Sequence, residues 1–446
     1  MRFTFEITAR EFAPRFDDSP ASLERHIPKR HIRMSNAAAT RTTTVRMTAL
    51  ERRATLGLAS ISGLRMLGMF IVLPVFALFA ETLPGGRDRT LVGIALGAYG
   101  LTQAVLQLPF GWASDKWGRR PVIYSGLALF AAGSFVAAWA PTIGWTIAGR
   151  ALQGTGAVSA AVIALTADLT RDVVRTRAMA AIGITIATTF MLSLVAGPLL
   201  NAAIGVPGIF ALAGVLALAA MAVVRFGIPD VARPPTRAPS RAAFRRVLAD
   251  ANLQRLNYGI FALHALLAAL FVEIPFALRD NGVDIDRQWE IYLPVMALSF
   301  ALMWPFARVV DQPQRGKRVF VGAVAVLLLA QLGLAAGVRA GGYALPVLVA
   351  GLLLFFAAFS LLEATLPAFV SRYAPAELKG SAVGVYASVQ FAGAFVGAAI
   401  GGWLAQHAGA AAVFAFGAAL CAIWLVVGAT MAAPPAYRST YSMGET

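Results

Sequence analysis

From Ala54 onward, long apolar runs alternate with short polar segments. A helix needs ~20 predominantly apolar residues to cross the hydrocarbon core of a bilayer. Runs of that length lie at 54–80, 90–110, 120–140, 145–166, 178–203 and 208–226. Six more lie at 256–278, 289–307, 319–338, 344–370, 381–404 and 410–431. The pattern predicts an all-α membrane protein of twelve transmembrane helices, in two six-helix bundles at 54–226 and 256–431. The connections are too short to hold a second folded domain.

Three polar segments stand outside the spans. Residues 1–53 mix Arg, Thr, Ala and Pro without an apolar run, which predicts a disordered extension with no cleavable signal. Met34 and Met47 are alternative start positions. Residues 227–255 open with a Pro-rich stretch, Pro229 to Pro239, and continue with Phe244, Val247, Leu248 and Ala251 at helical spacing, with Arg241, Arg245 and Arg246 off that stripe. This linker reads either as an amphipathic helix on the anionic cytoplasmic leaflet or as a solvated connection. Residues 432–446 form a short tail.

Composition agrees with the apolar runs. The chain is 58% hydrophobic and 13% charged, against about 45–50% and ~25% for soluble domains. The net charge of +16 could signal nucleic acid, but the placement of the basic residues argues otherwise. With both termini in the cytoplasm, 31 of the 38 Lys and Arg fall in cytoplasmic segments, 5 on the opposite side and 2 within spans. That asymmetry orients the chain with both termini inside and removes nucleic acid as a partner.

Catalytic signals are lacking. Cys421 is the single cysteine, so neither a disulfide framework nor a multi-cysteine metal site is expected. The four histidines are scattered, and neither a Walker loop nor a G-x-S-x-G elbow occurs. Gly154-Thr155-Gly156 imitates part of a dinucleotide loop, but Ser159 takes the place of its third glycine. The reading is a non-enzyme with no metal and no cofactor.

The two halves echo each other. Pro109-Phe110 precedes Asp115 and the basic pair Arg119-Arg120, and Pro305-Phe306 precedes Asp311 and Arg315, Lys317 and Arg318, at an offset of 196. Gly197-Pro198 is echoed by Gly393, Gly397, Gly401 and Gly402. Parallel repeats of this kind place a binding site between the halves near mid-membrane.

The motifs carry a resemblance. Gly111-Trp-Ala-Ser-Asp115-Lys-Trp-Gly118-Arg119-Arg120 resembles the loop signature of the major facilitator superfamily between its second and third spans. In physical terms Gly111 allows close helix approach and Gly118 a tight turn. Asp115 can accept backbone N–H groups or oppose a helix terminus, and the arginines can bind carboxylates or lipid phosphates. Arg150-Ala-Leu-Gln153-Gly154-Thr-Gly156-Ala157 resembles the family motif R-x-x-Q-G-x-G-A, which implies a role for this arginine in proton coupling or bundle closure. Ser193-x-x-x-Gly197-Pro198-Leu-Leu-Asn201 is similar to the antiporter signature but departs from it at Ser193, Asn201 and Ala202, leaving a plain proline bend as the alternative. Gly63 to Pro74, Gln103 with Gln107, and Leu362-Glu363-Ala-Thr-Leu-Pro367 resemble the YajR-type branch of the drug:proton antiporters. Some members of that branch carry a soluble C-terminal domain, which this chain, ending at Thr446, is expected to lack.

The resemblance implies a monomeric, proton-coupled exporter of small amphipathic compounds in the bacterial inner membrane. Its partners would be that substrate and membrane lipids, and the proton its coupling ion. A specific uptake carrier or uniporter of the same fold is the alternative, and a transport-inactive sensor or scaffold a remote one.

Charges inside spans are functional candidates because each costs ~2.5–3.5 kcal/mol at a helix centre. Here they segregate by sign, Arg65 and Arg150 in the first half, Glu273 and Glu363 in the second. At 1.5 Å per residue, Arg150 and Glu273 lie roughly 6–8 Å from the outer face, and Arg65 and Glu363 about 10–16 Å from the inner one. Two cross-bundle pairs, Arg65 with Glu363 and Arg150 with Glu273, are one expectation; locally satisfied or snorkelling side chains are the other. His264 is a proton relay or a structural histidine. Gln103 and Gln107 face substrate or hold helices together, and Gln390 and His264 are further candidates to line the substrate cavity.

Overall fold

The computed structural model describes residues 46–229, 241–310, 312–339, 344–375 and 378–432. Most of the expected N-terminal extension, residues 230–240 of the linker, Asp311 of the second repeat and the tail beyond 432 lie outside them. The described residues are helical, with short connections and no strand.

Several helices begin where a polar side chain satisfies a free amide. Thr48 caps the first span by a capping box with Glu51. Asp88 caps the second span, Arg89–Trp117, through Thr90 N at 2.8 Å. Asp250 caps the seventh, Ala251–Asp280, through Asn252 N and Leu253 N, both at 2.9 Å.

The first span is broken: Ala49–Phe70 stops ahead of Pro74, and Leu73–Ala80 completes the crossing. A proline cannot donate the interior hydrogen bond, so the break falls there. The third span is Arg119–Ala138. The fourth is also divided, into Ile143–Thr155 and Ser159–Asp168. Asp172–Phe226 is continuous by hydrogen bonding but leaves helical geometry at Gly205, with φ 66°. It turns back there, because Ile182 and Val224 share one cluster with Leu58. It supplies the fifth and sixth spans.

The remaining spans are Trp289–Val310, Pro313–Arg339, Leu345–Tyr373, Lys379–His407 and Ala410–Ala429. Ten helices of the described residues are long and apolar enough to cross a membrane. Counting Asp172–Phe226 twice and adding the divided fourth span gives the twelve expected from sequence.

The linker helix forms at Arg241–Ala249. The expected lipid-facing stripe turns inward instead. Val247 is buried and Phe244 packs against the core of the second bundle, while Leu248 stays exposed. That bundle offers a preformed apolar partner, so this part of the stripe is satisfied without lipid.

The end at which residues 46 and 432 lie is called the inner end below. The apolar clusters divide unevenly between the ends. At the outer end one cluster draws from both halves, including Val75, Val92, Val272, Phe276 and Ala398. At the inner end of the first bundle, Ala54, Leu58, Val162, Leu165 and Val224 pack among themselves. The second and eleventh spans approach until backbone meets backbone: a methyl group on Gly93 would lie 2.9 Å from Gly402 Cα and closer still to the Ala398 carbonyl.

Candidate functional site

The two buried arginines of the first bundle meet on one residue, Tyr99. Arg65 Nη1 donates to the Tyr99 hydroxyl at 2.7 Å, and its other terminal nitrogen donates to Ser159 Oγ at 2.5 Å. The Arg150 guanidinium sits over the Tyr99 ring, 5.3 Å from its centroid. Arg150 also donates to Gln153 Oε1 at 2.9 Å, and Gln153 donates to Ser134 Oγ at 2.7 Å. Arg150 is only 2% exposed, so it does not snorkel.

The glycines of the fourth-span motif explain how these groups come together. Gly154 lies against the Tyr99 carbonyl and Gly156 against the Gly126 carbonyl, each too closely for a side chain. The helix breaks just beyond, which brings Ser159 to Arg65.

Arg65 is therefore not paired with Glu363, nor Arg150 with Glu273, in this conformation. Both arginines find neutral acceptors within their own bundle instead. Glu273 pairs instead with Arg89, Nη1 to Oε2 at 2.6 Å. Arg89 stands just ahead of the apolar run at 90–110; it begins the second helix and reaches across to the seventh span.

Arg89 belongs to a ring of contacts between the bundles at the outer end. Its backbone N–H donates to Gln406 Oε1 at 2.8 Å. Arg279 pairs with Glu81 at 2.7 Å, and Asn201 donates to Asp286 at 2.8 Å. Phe276 lies beneath two guanidinium groups, Arg89 at 4.2 Å and Arg279 at 5.2 Å. The charges thus cover an apolar seal that includes Phe276 itself.

In the second bundle, three spans bring polar groups together. Gln390 Nε2 lies 2.7 Å from His264 Nε2, joining the eleventh span to the seventh. On the tenth, Glu363 Oε2 lies 3.9 Å from His264 Nδ1. Neither of those last two atoms has a hydrogen-bond partner among the described residues, and the Tyr386 hydroxyl is likewise buried without one. The rest of the Glu363 side chain is open, with 38% exposure. Phe359 packs on His264 and on Phe190, which in turn meets Phe70 edge-on. A polar group with unspent hydrogen-bonding capacity thus borders an aromatic wall built from both bundles.

Gln103 and Gln107 do not face an opening. Both are buried, and Gln103 donates to Gln107 at 2.9 Å along the same helix. His264 is held by Gln390, as a structural histidine would be, while its Nδ1 lies buried on the side of Glu363.

At the inner end, Gly118 supplies the turn after the second span, at φ 106°, where other residues are strained. Arg119 pairs with Asp115, donates to Asp168 Oδ2 at 3.2 Å and reaches Ser114 Oγ at 2.7 Å. The loop's carboxylate therefore meets the Arg119 guanidinium, and the fourth span provides a second carboxylate. Arg120 donates to the Ile228 carbonyl at 2.5 Å. Gly111 proves uncrowded, since a methyl group there would make ordinary contact with Ala160 at 3.6 Å. Of the second copy of this motif, Lys317 donates to the Ala429 carbonyl at 2.8 Å.

Gly197 sits on the break in the first span. A methyl group there would lie 2.7 Å from the Ile71 carbonyl and 2.7 Å from Pro74 Cγ. Pro198 follows within a helix that remains continuous.

The sequence model of the Major Facilitator Superfamily matches residues 58–397 and 314–442. The chain is 42% identical over 393 residues to the inner membrane transport protein YajR of Escherichia coli (strain K12), covering 87% of this chain and 86% of that one. It is 27% identical over 355 residues to the multidrug resistance protein MdtH of Aeromonas hydrophila subsp. hydrophila, covering 75% of this chain and 84% of that one. Among solved structures, the human organic anion transporter MFSD10 (TETRAN) shares the fold with a TM-score of 0.65 at 21% identity, over 85% of this chain and all of that one.

Proposed function

Because the chain belongs to the major facilitator superfamily, we propose that it is a proton-coupled transporter exporting small amphipathic compounds across a bacterial inner membrane. The observation that carries this reading is the group formed by His264, Glu363 and Gln390. It holds two titratable side chains with free polar atoms beside an aromatic wall.

A proton taken up by Glu363 removes the charge that a cationic or polar substrate group would oppose. A proton released from it restores that charge. Substrate and proton then compete for one carboxylate, which gives exchange when access alternates between the two faces. The contacts at the outer end hold the bundles together there, and in this reading the site opens toward the inner end. Export requires those contacts to break while the bundles close around Asp115, Arg119 and Asp168.

Direction is supported by three features. The distribution of the basic residues supports an orientation with both termini in the cytoplasm. Gly197-Pro198, which resembles the antiporter signature, seats against the break in the first span. A similar protein bears the name of a multidrug resistance protein. The fold itself serves uptake equally well.

The deciding experiment reconstitutes the full chain in liposomes and imposes a pH gradient while screening lipophilic organic compounds. Substrate flux opposite to the proton flow, lost in Glu363→Gln, supports the proposal. Flux along the proton flow would identify an uptake carrier instead, flux indifferent to the gradient a uniporter, and no flux for any compound would favour a sensor or scaffold.

A further inference from the structure

The inner end of the first span carries a surface groove of about 470 Å³ that has no part in the transport path. Its walls are Arg52, Arg53, Leu56, Gly57 and Ser60 on one side and Gly227, just past the sixth span, on the other. We propose that this groove binds an anionic phospholipid of the inner leaflet, with the phosphate at Arg52 and Arg53 and an acyl chain along Leu56 and Gly57. The assignment of leaflet rests on the orientation proposed above.

The groove runs from charge to grease in the direction a lipid does. From Arg53 to Ser60 is about 10 Å along the helix axis, the distance from the headgroup layer into the hydrocarbon. Arg53 is held in place by two bonds to helix-terminal carbonyls, Phe226 O at 2.7 Å and Gly227 O at 3.1 Å. A guanidinium has five N–H donors, so others remain for a phosphate. Arg52 is exposed, and its side chain has no bond among the described residues.

Among the described residues, no carboxylate lines this groove. The neighbouring acid, Glu51, turns away and is engaged by Arg171 at 2.8 Å and by the Thr48 N–H at 2.8 Å. Among the described residues, two positive charges are thus left without a carboxylate partner where a lipid phosphate would lie. Gly57 lines the lower wall; a methyl group there would meet Ile228 Cγ1 at 3.4 Å, an ordinary contact, and a longer side chain is expected to take up space in the groove. Leu56 is 61% exposed and Phe226 73% exposed, and together they offer apolar surface to a chain lying between them.

The test uses the purified full-length protein in detergent and counts retained lipid by native mass spectrometry after addition of phosphatidylglycerol or phosphatidylcholine. Wild type is expected to retain phosphatidylglycerol in preference to phosphatidylcholine. Arg52→Gln is expected to weaken that retention about tenfold, the worth of roughly one charge-assisted hydrogen bond. Gly57→Leu, which alters no charge, is expected to reduce it comparably. Equal retention in both variants overturns the proposal. So does displacement of the lipid by millimolar inorganic phosphate alone, which would mark a bare anion site, or equal retention of the two lipids. The readout depends on neither transport nor insertion direction. Labelling of Thr48→Cys by an impermeant thiol reagent in intact cells checks the orientation separately.

Discussion

The Glu273 carboxylate accepts a hydrogen bond from Arg89 at 2.6 Å, across the boundary between the two bundles. The pair sits above an apolar seal, and Glu273 is nearly buried whereas Arg89 is partly open. A contact of this kind exists only while the outer ends are together, so its strength sets how readily they part.

Glu273→Gln is expected to favour separation of the outer ends. A loss of ~1.4 kcal/mol from the closed form changes its population ratio tenfold. Spin labels at Arg87 and Asp284, both exposed at the outer end, would report a larger share of long distances. Arg89→Glu combined with Glu273→Arg is expected to restore part of the short-distance population. An unchanged distribution in the single variant would show that the apolar seal alone closes this end.

Tyr99→Phe removes the hydroxyl that Arg65 uses while keeping the ring beneath Arg150. A buried donor left without its acceptor costs about 1–3 kcal/mol, so the thermal unfolding midpoint in detergent should fall. Tyr99→Leu also removes the ring under Arg150 and should fall further. Equal midpoints for the two variants would mean that the ring contact contributes nothing.

Gly93→Val places a side chain where the second span meets Gly402 and the Ala398 carbonyl. Overpacking typically costs about 1–3 kcal/mol, and here the cost is confined to the form in which the outer ends touch. The variant should insert and fold but lose transport cycling, with outer-end labels reporting separation. Gly111→Ala, at an uncrowded position, should leave both properties near wild type.

Arg119→Ala leaves Asp115 and Asp168 facing each other without their shared cation. Both carboxylates are partly buried, so the loss should exceed the 0–1 kcal/mol of an exposed pair. Asp168→Asn, which leaves the Asp115 contact intact, should be milder in a thermal unfolding series. The reverse order would show that the fourth-span carboxylate, and not the one in the loop motif, anchors the arginine.

The twelve spans, the duplicated architecture and the buried charges were all legible in the residue pattern. A bilayer imposes a fixed span length and penalises every charge within it, so length and polarity alone locate the helices and single out Arg65, Arg150, Glu273 and Glu363. The breaks in the first and fourth spans were less visible, since Pro74 and Gly156 interrupt hydrogen bonding without interrupting hydrophobicity. The reversal at Gly205 was legible, because a run from Asp172 to Phe226 is too long for one crossing.

The partners of those charges were decided only by the tertiary structure. A pairing depends on which helix faces are adjacent, and an apolar run shows no face distinctly when lipid and protein neighbours are equally greasy. So Tyr99, an ordinary aromatic in a hydrophobic run, becomes the meeting point of two arginines. Arg89, a loop residue by its position, becomes the partner of Glu273. Gln103 and Gln107, conspicuous in sequence, turn to each other, while His264 and Glu363, ninety-nine positions apart, are brought side by side by the packing of the seventh and tenth spans. The membrane acts on each segment separately and can be read from each segment; the site arises from contacts between segments and has no local signature.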